Sequence, residues 1–155
     1  MNLTTGEGNT ATGWCSLFSA TTGSFNTGVG AGTLALNSGD ENTATGTAAL
    51  FLNITGFHNT ANGAFSLLHN TDGSDNTATG FQALFNKTTG VNNTAVGVNT
   101  LGDTVSGKRL KCACLKTIGE WSQSKVSTIA EIRPDIPISL LVVLCVVDIL
   151  FGFRR

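Results

Sequence analysis

The residues able to do chemistry are few and scattered. The chain has two histidines, His58 and His69, and four cysteines, Cys15, Cys112, Cys114 and Cys145. Neither histidine belongs to a metal-spaced pair, and both read as turn residues on a wet surface. Zinc needs ligands in repeated pairs, and Cys112-Ala113-Cys114 has no second pair at that spacing, so free thiols are expected. Asp40-Glu41 and Asp72-Gly73-Ser74-Asp75 place carboxylates in turns, where oxygen ligands suit calcium, yet the glycine-aspartate nonapeptide of calcium-binding rolls is absent. Gly28-Val29-Gly30-Ala31-Gly32 is glycine-rich but opens no helix, so it reads as a solvated turn rather than a phosphate loop. No nucleophile elbow or paired-carboxylate pattern is found. The expectation is a chain with no catalytic residue, no cofactor site and no metal site, and hence not an enzyme.

What the chain has instead is a period. The words Asn-Thr begin at Asn9, Asn26, Asn42, Asn59, Asn76 and Asn93, with steps of 17, 16, 17, 17 and 17 residues. Four residues after each Asn stands a glycine: Gly13, Gly30, Gly46, Gly63, Gly80 and Gly97. Eight residues after it stands a leucine: Leu17, Leu34, Leu50, Leu67, Leu84 and Leu101. A second glycine closes each copy at Gly23, Gly39, Gly56, Gly73, Gly90 and Gly107. A fixed period of this length is the mark of one supersecondary unit stacked on itself. Thr-Ala-x and the Ala-Leu-Phe portion (Ala49-Leu50-Phe51, Ala83-Leu84-Phe85) read as two short strands. Asn-x-Thr-Gly reads as a turn in which glycine supplies positive φ and Asn tolerates it. The predicted fold is all-β: a β-solenoid or β-roll of about six 17-residue coils over residues 1–107.

Stacking turns each repeated position into a column. With coils ~4.8 Å apart, six span roughly 30 Å. The leucines form the dry core, the leading asparagines an amide ladder, and the alanines two steps after them a column of close backbone approach, with Gly28 the exception. A coil with one Leu, one Phe or Leu and several Ala is thin, and stacked repeats usually carry a cap that the amino end lacks. A second buried face against copies of the chain is therefore expected. The column five steps after the Asn (Trp14, Ala31, Thr47, Ala64, Phe81, Val98), with Val29 and Val96, would supply it.

The words Asn93-Thr94-Ala95-Val96-Gly97, Asn76 to Phe85 (Asn-Thr-Ala-Thr-Gly-Phe-Gln-Ala-Leu-Phe) and Lys87-Thr88-Thr89-Gly90 resemble the repeat arrays of bacterial surface and phage tail-fibre-like proteins. More loosely, they are similar to the head repeats of trimeric autotransporter adhesins, whose unit is usually shorter. The resemblance covers about residues 2–107 and implies a homotrimeric β-roll with a structural or adhesive role at a cell surface or on a virion. It implies a host-surface receptor or glycan as partner.

Composition agrees with a turn-rich β chain: 19 Gly, two Pro, no Tyr and only 12% charged residues. Residues 1–107 carry one Lys against six acids, a net −5, whereas residues 108–155 carry eight Lys or Arg against four acids, a net +4. Neither part has the clustered basic surface of a nucleic-acid binder. No signal peptide is visible, and Asn2-Leu3-Thr4-Thr5-Gly6 matches the closing half of a repeat, as if the chain were cut from a longer array. Residues 108–155 form an atypical tail with an amphipathic helix expected over 117–133 and an apolar segment over 138–153. That segment is just short of a comfortable membrane span; a membrane anchor, a buried segment and a tail foreign to the array through a frame shift or truncation all stay open. One rival surface stands out. Thr10, Thr27, Thr43, Thr60, Thr77 and Thr94 make a regular rank, joined by Thr12, Thr45 and Thr79, and flat Thr-x-Thr arrays resemble ice-binding faces.

Overall fold

The computed structural model describes residues 5–103, 105–109 and 111–113. The helix expected over 117–133 and the apolar segment 138–153 lie outside them. Seven three-residue strands stack in chain order into one parallel sheet: β1 (Thr10–Thr12), β2 (Thr27–Val29), β3 (Thr43–Thr45), β4 (Thr60–Asn62), β5 (Thr77–Thr79), β6 (Thr94–Val96) and β7 (Lys111–Ala113). The register is strictly columnar, with Thr10 opposite Thr27, Thr27 opposite Thr43, and so on to Thr94 opposite Lys111. The molecule is thus an all-β parallel solenoid of about five turns with a spacing of about 17 residues, and no helix occurs among the described residues. β7 falls where another Asn-Thr-Ala word would be due and sets Cys112 opposite Ala95, so the sheet runs on past residue 107.

Each coil has one strand, not two. The Ala-Leu-Phe portion, expected to be extended, is a run of turns in which the leucine eight residues after the leading Asn is left-handed in all six copies, from Leu67 at φ 49° to Leu17 and Leu84 at 52°. The residue two before each leucine is left-handed too: Cys15, Gly32, Ala48, Phe65, Gln82 and Asn99. Alternating the sign of φ turns successive peptide groups up and down the solenoid axis. Ala48 N–H therefore donates to Ala31 O of the coil before (2.8 Å), while Leu50 N–H donates to Ser66 O of the coil after (3.0 Å). A left-handed non-glycine residue costs about 1–2 kcal/mol; burying the leucine returns about 1.5–3 kcal/mol. All six leucines are buried, together with Ala44, Ala49, Ala61, Ala78, Ala83 and Ala95.

The two glycine columns have different causes. Gly13, Gly30, Gly46, Gly63, Gly80 and Gly97 have φ between 114° and 137°, where a side chain is strained. The closing glycines from Gly23 to Gly90 are not left-handed, contrary to the turn expected there. They are glycine because the next coil's backbone occupies the space a Cβ would take; at Gly73 it would lie 2.6 Å from Gly90 O. Positive φ falls instead on the residue before the leading Asn: Gly8, Phe25, Glu41, His58, Asp75 and Asn92. Gly28 interrupts the alanine column for a side-chain reason rather than a backbone one. Ser16 Oγ and Thr33 Oγ1, hydrogen-bonded to each other at 2.7 Å, fill the space where its Cβ would sit. The short second copy, from Asn26 to Asn42, loses its residue between Asn37 and Gly39 and keeps the sheet in register.

Candidate functional site

The repeated polar residues converge on a ladder at the seam of each coil. Asn26, Asn42, Asn59, Asn76 and Asn93 are fully buried, and Asn9 on the first rung is half-buried. Each side-chain oxygen accepts the backbone N–H of the next leading Asn, from Asn26 to Asn9 (2.9 Å) up to Asn93 to Asn76 (3.0 Å). From Asn42 upward the side-chain N–H also donates to the Oδ1 of the rung below, for example Asn59 to Asn42 at 3.1 Å. The same amide donates to the carbonyl of the closing glycine, as in Asn59 to Gly73 O at 2.7 Å. One side chain thus joins the start of a coil to its end and that coil to its neighbour. A neutral amide is suited to this because it carries both donors and an acceptor and brings no charge into the interior.

A second ladder runs beside the first. Asn37, Asn53 and Asn70, read from sequence as turn residues, are fully buried. Asn53 Nδ2 donates to Asn37 Oδ1 (2.5 Å) and Asn70 Nδ2 to Asn53 Oδ1 (2.6 Å), while each also donates to the closing glycine carbonyl of its coil. The next rung is Lys87, fully buried, whose Nζ reaches past its own coil to Gly107 O at 3.3 Å. Asn70 Oδ1 is left buried with no hydrogen-bond partner among the described residues. Sequence reading missed this exchange, although Lys87 stands eleven residues after Asn76 just as Asn70 stands eleven after Asn59.

Among the outward features of the described residues, three bear on the surfaces expected from the sequence. The sheet presents the Thr rank: Thr10, Thr43 and Thr60 are exposed and Thr27, Thr77 and Thr94 half-buried, with the Ala or Gly between the outward positions turned inward. Around the corner, Trp14 is 79% exposed, Phe81 44% and Val98 47%, flanked on the strands by exposed Val29 and Val96. Phe65 and Phe81 meet edge to face with ring centroids 5.9 Å apart. Lower in the turns, His58 is held between two coils' carboxylates, with Nε2 3.4 Å from Glu41 and Nδ1 3.2 Å from Asp75.

The suspected chemical residues are not gathered into one place. His69 lies apart from His58, its Nδ1 3.2 Å from Phe85 O and its ring edge-on to Phe85. Asp40 accepts the Ser24 N–H (2.7 Å) and Asp72 the Thr55 hydroxyl (2.9 Å), so both carboxylates link neighbouring coils. Cys15 is a half-buried free thiol, and Cys114 and Cys145 lie outside the described residues. Among the described residues no group of three or more His, Cys, Asp or Glu could hold a metal ion, and no helix is long and apolar enough to cross a membrane. Compared with protein-family models, with curated proteins and with solved structures, the chain matches none.

Proposed function

We propose that the chain is a structural, adhesive segment of a cell-surface or tail-fibre-like rod, acting outside the cell or on a virion, and that it works as a homotrimer. The observation that carries this reading is the column of Trp14, Ala31, Thr47, Ala64, Phe81 and Val98, whose large apolar side chains are exposed at its two ends, beside exposed Val29 and Val96. It stands on a coil whose dry core is one leucine deep. Covering such a face stabilises by roughly 25 cal/mol per Å² of apolar surface removed from water. A rod built this way exerts function through what it displays and how far it holds it, and three chains multiply weak contacts by avidity. The polar side chains that recur in the interior are committed to stacking, which favours a scaffold over a catalyst. Light scattering on the full chain should give three times the 16.0 kDa chain mass; a monodisperse monomer would sink the trimer.

A second reading rests on the outward Thr rank. A parallel sheet in strict register holds like residues at ~4.8 Å intervals, and the Thr column is complete from Thr10 to Thr94. The neighbouring column alternates Thr12, Val29, Thr45, Asn62, Thr79 and Val96, which breaks the lattice. Thermal hysteresis in a solution of the purified chain would support an ice-binding face, and its absence would dispose of one.

A further inference from the structure

One groove of the solenoid opens into a cleft for a reason visible in the repeat. Nine residues after the leading Asn, the coils carry Phe18, Ala35, Phe51, Leu68 and Phe85, and then Gly102. Where the rung is Phe51, its ring would contact a Cβ at Gly32 of the coil before at 3.5 Å, so it roofs that position. The equivalent position one coil before Gly102 is Gln82, and there is no ring to roof it. The result is a cavity of about 430 Å³ lined by Gln82, Phe85, Asn86, Asn99, Gly102 and Asp103.

The same coils change the groove's chemistry. Ten residues after the leading Asn, Leu36 and Leu52 give way to His69, Asn86 and Asp103; six residues after it, Gly32 and Ala48 give way through Phe65 to Gln82 and Asn99. Three carboxamides, one carboxylate and one phenyl ring therefore surround the gap. Asn99 Oδ1 is buried there with no hydrogen-bond partner among the described residues. Among the described residues no Lys or Arg lines the cleft.

We propose that this cleft is a binding site for a neutral saccharide residue. It rests on the reading of the chain as an adhesive rod and names the ligand class. Vicinal hydroxyls are at once donors and acceptors, and carboxamides match both roles. The Asp103 carboxylate accepts from hydroxyls and disfavours an anionic sugar. Phe85 offers an apolar surface to the C–H face of a pyranose ring, in keeping with pockets that pair an aromatic wall with a few placed polar groups. An open cleft of this kind binds weakly, and three copies on a trimer would add by avidity.

The test is saturation-transfer NMR on the full chain with a panel of neutral methyl glycosides, with sialic acid as the anionic control. Transfer to at least one neutral glycoside is expected, with none to the control. Gly102→Phe restores the ring that Phe18, Phe51 and Phe85 carry at this rung, and Gly102 is not held in the left-handed region. Asn86→Leu installs the residue found at Leu36 and Leu52. Each should abolish the transfer while leaving the thermal melt unchanged. Absence of transfer to every neutral glycoside, or transfer that survives both substitutions, would overturn the proposal. Molar mass measured on the same samples separates the two readings: a monomer that binds sugar loses only the trimer, and a trimer that binds none loses only this site.

Discussion

Lys87 shows how closely a single column is tuned. Its neighbours in the ladder, Asn53 and Asn70, each give one N–H to the rung below and one to a closing glycine carbonyl. Lys87 has no acceptor and reaches to Gly107 O, which leaves Asn70 Oδ1 without a partner among the described residues. Lys87→Asn should supply that partner and donate to Gly90 O, replacing a buried lysine by a neutral amide. A buried unsatisfied acceptor costs about 1–3 kcal/mol, so stability should rise by about that amount in urea denaturation, and an unchanged or lowered midpoint would contradict the ladder account. The substitution was readable as a break in a column, but its burial was not. Asn-Lys-Thr-Thr-Gly looks like an exposed turn until Asn37, Asn53 and Asn70 are seen to point inward.

At the scale of the coil, the strand contributes three residues and the seam most of the cross-links. Asn59→Ala removes donations to Asn42 Oδ1 and Gly73 O and strips Asn76 of the oxygen that accepts both its backbone and side-chain N–H. The cost should be about 3 kcal/mol or more, several buried groups being orphaned together. Asn9→Ala, on a half-buried end rung, should cost about 1 kcal/mol, and equal losses in thermal melts would show that the ladder carries no such gradient. The period made the leucine and asparagine columns legible, because identical residues at a fixed spacing demand identical environments. It did not reveal the backbone. Phe51 favours a strand by type and Leu50 a helix, and nothing in a leucine announces a left-handed φ; only the need to aim peptide groups along the axis explains it. The cleft was equally hidden, since Gly102 matters by what it lacks beside Phe51 and Phe85.

For the whole molecule, the proposed trimer rests on which faces are left uncovered. If the trimer forms through the Trp14 column, replacing Trp14 and Phe81 by Ser should reduce the scattering mass to that of one chain. The melt of the single coil stack should survive, because both side chains stand outside the leucine core. A trimer unaffected by the pair would move the interface to another face. The alternation of net −5 and net +4 along the chain was plain from composition, but which columns face water was not, since Trp14 and Leu17 are equally apolar by type.

The hydrogen bonds that join the coils run along the long axis of the stack, from Asn26 O up to Asn93 O. In a stack pulled along that axis the seams stand in series, each bearing the whole tension rather than a share of it, and the end coils, held on one side only, should open first. A coil of 17 residues pays out roughly 55–60 Å of slack when drawn straight. Such a stack should therefore act as a coiled tether, and single-molecule pulling should show it yielding in near-equal steps of one coil each and rewinding from any coil still intact.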